Sequence, residues 1–189
     1  MTRVLPRPPS ARAGTVLDEV VAPRATGRHD AAMDAPPTLY AWAGGAEALE
    51  RLTTVFYDRI LGDPDPILEP VFRGMDAHHA RHVAAWLGEV FGGPPVYTEH
   101  HGGYPHMLGK HLGLGLTETQ RARWVQAIGQ AADAAGLPDD PEFRSAFLAY
   151  VEWGSRLAVQ NSRPGATPPP EAPVPRWGWG EAPPYVPGD

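Results

Sequence analysis

The chain has 189 residues and a formal net charge of −6, which is length enough for one domain with a real core and too little for two ordinary ones. The acidic balance excludes a general nucleic-acid binder, which needs a basic surface to displace counterions from phosphates. The absence of cysteine excludes disulfides, thiolate metal sites and cysteine nucleophiles. No apolar run approaches the roughly 18 residues that span a bilayer, and the N-terminus lacks the central apolar stretch of a secretory signal, so the expectation is a soluble, cytoplasmic protein with no membrane partner.

Proline marks the boundaries. Six of the 23 prolines fall in residues 1–38 and nine in 164–189, and proline builds neither helix nor ladder cheaply. Residues 1–38 are therefore expected as a disordered N-terminal extension. It is either a spacer or, through Arg3, Arg7, Arg12, Arg24 and Arg28, a weakly basic arm for an acidic partner. Met33, just ahead of the folded part, is a candidate start. Residues 39–163 form the expected domain. Within it, 46–61 places Leu49, Leu52, Phe56 and Ile60 at helical spacing after Gly44-Gly45, and Tyr57 lies beside that stripe, turned either into the core or along its edge. Residues 66–73 give one proline-bounded turn bearing Val71 and Phe72. Asp76 is placed to cap a helix that carries His79, Val83 and Leu87 and runs to about Phe91, where Gly92-Gly93-Pro94-Pro95 stops it.

Residues 94–110 read as a loop with a brief helix near 105–111, holding His100, His101, His106 and His111 at or beside it. Thr117-Glu118-Thr119-Gln120 fits a capping box for a helix with Trp124, Ala127, Ile128 and Ala131. Asp140-Pro141 starts a last helix, with Phe143, Phe147, Tyr150, Val151 and Leu157, that ends near Asn161. No stretch alternates with period two, so the fold class is all-α, with four substantial helices and two short ones. Residues 164–189 read as a Pro-rich disordered tail, whose Trp177 and Trp179 could dock on a partner or fold back on the domain.

Eight histidines without cysteine invite a metal reading. His78 and His82 share a helix face at four-residue spacing, as a zinc pair would, but H-E-x-x-H is absent and solvated polar positions explain them as well. His111 follows a helix-breaking Gly-Gly-Tyr-Pro stretch and a short turn. Haem iron takes an axial imidazole, whose second nitrogen finds an acceptor among carbonyls at a helix end, so His111 is a candidate metal ligand beside the bland reading of a structural histidine. Tyr57 and Trp124 could supply O–H and N–H donors to a gas held in a dry pocket, or could be ordinary core.

Several runs in order, Gly44-Gly45, Phe56-Tyr57, Val90-Phe91-Gly92-Gly93-Pro94, His106-Met107-Leu108-Gly109-Lys110-His111, Arg123-Trp124 and Tyr150-Val151-Glu152-Trp153-Gly154-Ser155-Arg156-Leu157-Ala158, resemble the group II truncated haemoglobins over residues 39–163. The resemblance implies a globin-like two-over-two helical sandwich around haem b and its iron. His111 matches the proximal ligand, Tyr57 the distal tyrosine and Trp124 the distal tryptophan. His79 falls at the distal gate with Val83 one turn on, Phe72 matches the ring packed on the haem, and Tyr97 and Lys110 match positions near the propionates. Phe72 stands where some members carry tyrosine. His79 is larger than the usual gate residue, so it either faces solvent or enters the pocket as a third polar group or a sixth iron ligand.

The implied function is binding of dioxygen, and of other diatomic gases, with slow release through Tyr57 and Trp124. A second reading is redox chemistry at the haem, as a nitric oxide dioxygenase or a peroxidase-like enzyme. It requires a separate reductase, because the chain holds no dinucleotide fingerprint. A remote reading is a non-haem helical interaction domain. Monomer and homodimer both stay open.

Overall fold

The computed structural model describes residues 35–167 and 171–180; the candidate start at Met33 and the basic arm lie outside them. Every regular element among the described residues is helical: α1 Leu39–Ala43, α2 Gly45–Gly62, α3 Glu69–Phe72, α4 His79–Val90, α5 Val96–His101, α6 Gly103–Gly109, α7 Glu118–Ala134 and α8 Pro141–Asn161. Helix α2 packs on α4 and on α7, and α7 packs on α8, which gives two helix pairs over one core. Leu49, Leu52, Phe56, Val90, Phe91, Phe143, Phe147 and Val151 are fully buried in it.

Local chemistry sets the boundaries. Gly44 and Gly45 both have positive φ (99° and 72°), so the chain turns from α1 directly into α2, a conformation cheap only for glycine. The expected capping box opens α7: Thr117 Oγ1 accepts from the Gln120 N–H, and the Thr117 N–H donates back to Gln120 Oε1. Asp140 caps α8 through the Phe143 N–H at 2.9 Å, with Pro141 at the first helical position. Asp76 accepts from the His78 N–H at 2.6 Å and so caps the turn leading into α4.

Two expectations need correction. Residues 94–110 are mostly helical, as α5 and α6, joined through Gly102 and Gly103 at φ 78° and 64°. The reason is long-range. Buried Glu89 of α4 accepts from the Thr98 N–H at 2.8 Å and from the Thr98 hydroxyl, so it caps the first turn of α5 from another helix.

The described part of the C-terminal tail is also ordered, and of the two alternatives for its tryptophans the chain folds back. The Trp177 N–H donates to the Val90 carbonyl at 2.8 Å, one of the open carbonyls at the end of α4, and its indole N–H donates to Ala146 O at 3.1 Å. Trp179 donates to Pro37 O at 2.7 Å and meets Trp42 edge-on at 5.5 Å. Trp42 in turn donates to Asp140 at 2.8 Å, so the strap reaches the cap of α8. Trp177→Ala removes a half-buried indole and its hydrogen bond, with an expected loss of about 2–3 kcal/mol. A urea midpoint equal to that of the wild type would show that the strap adds nothing to the fold.

Candidate functional site

His111 lies just beyond α6, whose last turn aims it. Its Nδ1 sits 3.0 Å from the Met107 carbonyl. A carbonyl only accepts, so Nδ1 carries the proton and Nε2 keeps a free lone pair, the arrangement of an imidazole ready to bind a metal. Burial pushes its proton affinity down against the opposing pull of the Met107 bond, which keeps the ring neutral.

A cavity of about 470 Å³ opens beside it. Tyr57 of α2, His79 of α4 and Trp124 of α7 line the same space, as do Phe72, Val83 and Tyr97. All eight sequence candidates therefore meet at one cavity, with Lys110 exposed at its edge. Tyr57 is turned inward rather than along the core edge. Its hydroxyl lies 2.9 Å from His79 Nε2, and its ring packs edge-on against Phe56 and Phe72. Burial raises its proton affinity, so the phenol stays protonated. Trp124 packs edge-on against Phe56 at 5.9 Å, and its indole N–H has no hydrogen-bond partner among the described residues. The polar frame around these groups is fixed by ion pairs. Arg123 holds Asp65 at 2.7 Å, and Asp65 also accepts from the Ile67 and Leu68 N–H groups, which anchors the approach to Phe72. Arg121, with its side chain largely buried, joins Glu118 to Glu152 of α8 at 2.5 Å each.

His79 lines the cavity with its ring half-buried. Its imidazole, ordinarily titrating near 6.5, is pushed down to about 4, chiefly by burial, with His82 and His111 adding repulsion. The unfolded chain therefore binds this proton at higher pH than the folded one, and stability is lost as pH falls from about 6.5 toward 4. With solvent screening of a half-buried ring, the loss between pH 7 and 4.5 is about 2 kcal/mol larger in the wild type than in His79→Gln. Equal pH slopes for the two proteins in urea titrations would refute this.

The zinc reading of His78 and His82 is overturned. His78 is exposed ahead of α4, whereas His82 packs on His101 at 4.4 Å at the cavity edge, and no group of three or more metal-ligating side chains exists among the described residues. Sequence reasoning also missed Trp86, Tyr104 and His101 as cavity residues. For Trp86 a signal existed: it lies three residues after Val83 and seven after His79, on one helical face.

A family model described as bacterial-like globin matches residues 38–152. The chain belongs to that family. This globin is 31% identical over 118 residues to the group 2 truncated hemoglobin YjbI of Bacillus subtilis, across 62% of its own length and 86% of that relative. Among solved structures it resembles the group II truncated hemoglobin of Bacillus anthracis (TM-score 0.59, 27% identity, 66% of this chain and 92% of that one). It also resembles a truncated oxygen-avid haemoglobin of Bacillus subtilis (TM-score 0.57, 30% identity, 65% and 99%). The two-over-two helical fold and haem-based gas binding follow from that membership. The cavity suits the group on its own terms: a mostly apolar wall, one imidazole with its tautomer set for metal, and a hydroxyl and an indole N–H in the same space. No helix among the described residues is long and apolar enough to cross a membrane.

Proposed function

We propose that this globin holds haem iron through His111 Nε2 and binds dioxygen tightly, releasing it slowly because Tyr57 and Trp124 donate hydrogen bonds to it. Bound there, haem would supply a ferrous iron for the gas, and the donors of this chain would serve the gas as it gains acceptor character. The observation that carries the reading is Trp124, whose indole N–H has no hydrogen-bond partner among the described residues, lining a cavity that the protonated Tyr57 phenol also lines. His79 decides how Tyr57 acts. When His79 Nε2 carries the ring proton and donates to the Tyr57 oxygen, the Tyr57 O–H is released toward the gas; in the other tautomer the phenol is spent on His79. Phe72 and Val83 line the cavity and would wall the haem, while Tyr97 and Lys110 would hold its propionates, a cation beside a carboxylate being favoured.

The likeness to a relative described as oxygen-avid supports retention over delivery. Nitric oxide is a second gas for the same donors, and its sustained conversion would draw electrons from a separate reductase. Stopped-flow release of dioxygen tests the proposal: the wild type releases slowly, and Tyr57→Phe and Trp124→Phe each release faster. Unchanged rates in both variants would overturn it.

A further inference from the structure

We propose that Trp153 and Trp177 form a surface oxidation site, connected to the haem cavity through Tyr150 and Trp86, at which peroxide reduced in the cavity draws electrons from phenolic donors too large to enter it. The inference goes beyond gas binding and rests on haem occupying the cavity.

The connection is continuous. Trp86 and Tyr104 line the cavity with their rings stacked at 5.7 Å and 25°. The Trp86 indole N–H donates to the Tyr150 hydroxyl at 2.6 Å. The Tyr150 ring meets Trp177 at 5.7 Å and Trp153 at 6.1 Å, and those two indoles lie 5.5 Å apart, tilted by 37°. Trp86 and Tyr150 are buried, at 7% and 5% exposure, whereas Trp153 at the far end is 37% exposed. Trp153 sits at the cavity rim, and Trp177 covers it from outside the cavity.

Phenylalanine would fill the same space but could make neither the Trp86–Tyr150 nor the Trp177–Ala146 hydrogen bond. Each ring on this route is instead one that gives up an electron readily. Indoles pass an electron without first losing a proton. Tyr150 is buried between them, bonded to Trp86 through its hydroxyl and in ring contact with Trp177 and Trp153, so it bridges the indoles. Trp153 and Trp177 both lie past the stretch matched by the family, residues 38–152, and Trp177 belongs to the C-terminal strap of this chain.

The chemistry balances. One peroxide takes up two electrons and two protons and leaves as two waters. Two phenols each lose one electron and one proton at the Trp153–Trp177 surface and leave as phenoxyl radicals.

The test uses full-length holoprotein, hydrogen peroxide and two donors: free phenol, which enters the cavity, and tyramine coupled to dextran, which does not. Trp177→Phe keeps a ring in place but cannot be oxidised. It is expected to slow dextran-tyramine oxidation about tenfold and free-phenol oxidation less than about twofold. Without donor, peptide mass spectrometry of peroxide-treated protein is expected to find oxygen added at Trp153 and Trp177 in the holoprotein and not in the haem-free protein. Equal slowing of both donors, slowing of neither, or equal marking with and without haem overturns the proposal. Dioxygen release measured on the same Trp177→Phe preparation keeps the two readings apart. A Soret band with normal release and unaffected dextran oxidation removes this inference alone, whereas absence of the Soret band removes both.

Discussion

His111→Ala is expected to be purified almost free of haem, with no Soret band. In the proposed site His111 would be the axial ligand to the iron, and even the partners of such ligands change metal affinity by about 10- to 100-fold when removed. Loss of the ligand itself therefore weakens haem retention by more than about 100-fold, read as the rate of haem transfer to excess apomyoglobin. Added imidazole fits the space left by the ring and restores part of the retention, which separates a missing ligand from a damaged fold. His106 is the fair competitor, since it borders the same cavity one turn earlier. It is exposed and lacks the carbonyl bond that fixes the His111 tautomer, so His106→Ala keeps its haem. A His111→Ala protein that retains haem with an unaltered spectrum would remove the assignment and shift it to His106 or His79.

The double variant Tyr57→Phe/Trp124→Phe should release dioxygen about 100- to 10,000-fold faster than the wild type, because a hydrogen bond to a charge-bearing partner contributes roughly 1.5–3 kcal/mol and about 1.4 kcal/mol is a factor of ten. The two donors are inequivalent. Trp124 has no competing partner among the described residues, so its loss appears in full. Tyr57 shares its hydroxyl with His79, so Tyr57→Phe costs less by itself and also leaves His79 Nε2 without its partner. The single effects should therefore fail to add, and His79→Leu in the Tyr57→Phe background should change release little. Phenylalanine preserves the edge-on contacts with Phe56 and Phe72, which makes a rate change attributable to the lost donors. Release from the double variant at the wild-type rate would leave the donor mechanism without support.

The long helices were legible because their signals are local. Leu49, Leu52, Phe56 and Ile60 repeat at helical spacing, and Thr117 and Asp140 cap helices within three residues of themselves. The site was legible as an ordered series of short runs, each weak alone, and the eight residues singled out do share one cavity. What stayed hidden depends on partners distant in sequence. Pro94-Pro95, Gly102 and Gly103 read as loop because nothing beside them announces that Glu89 caps α5. The Pro- and Gly-rich strap reads as unstructured because its order comes from carbonyls on Val90, Ala146 and Pro37. The His82–His101 contact joins two helices, so spacing within α4 pointed instead to His78.

The bond from Trp179 to Pro37 spans 142 positions, and it has a temporal meaning. During synthesis, Pro37, Trp42 and the end of α4 emerge early and wait through most of translation for the segment that covers them. The nascent domain thus carries an unfilled seam until the strap, made 142 positions after Pro37, reaches it.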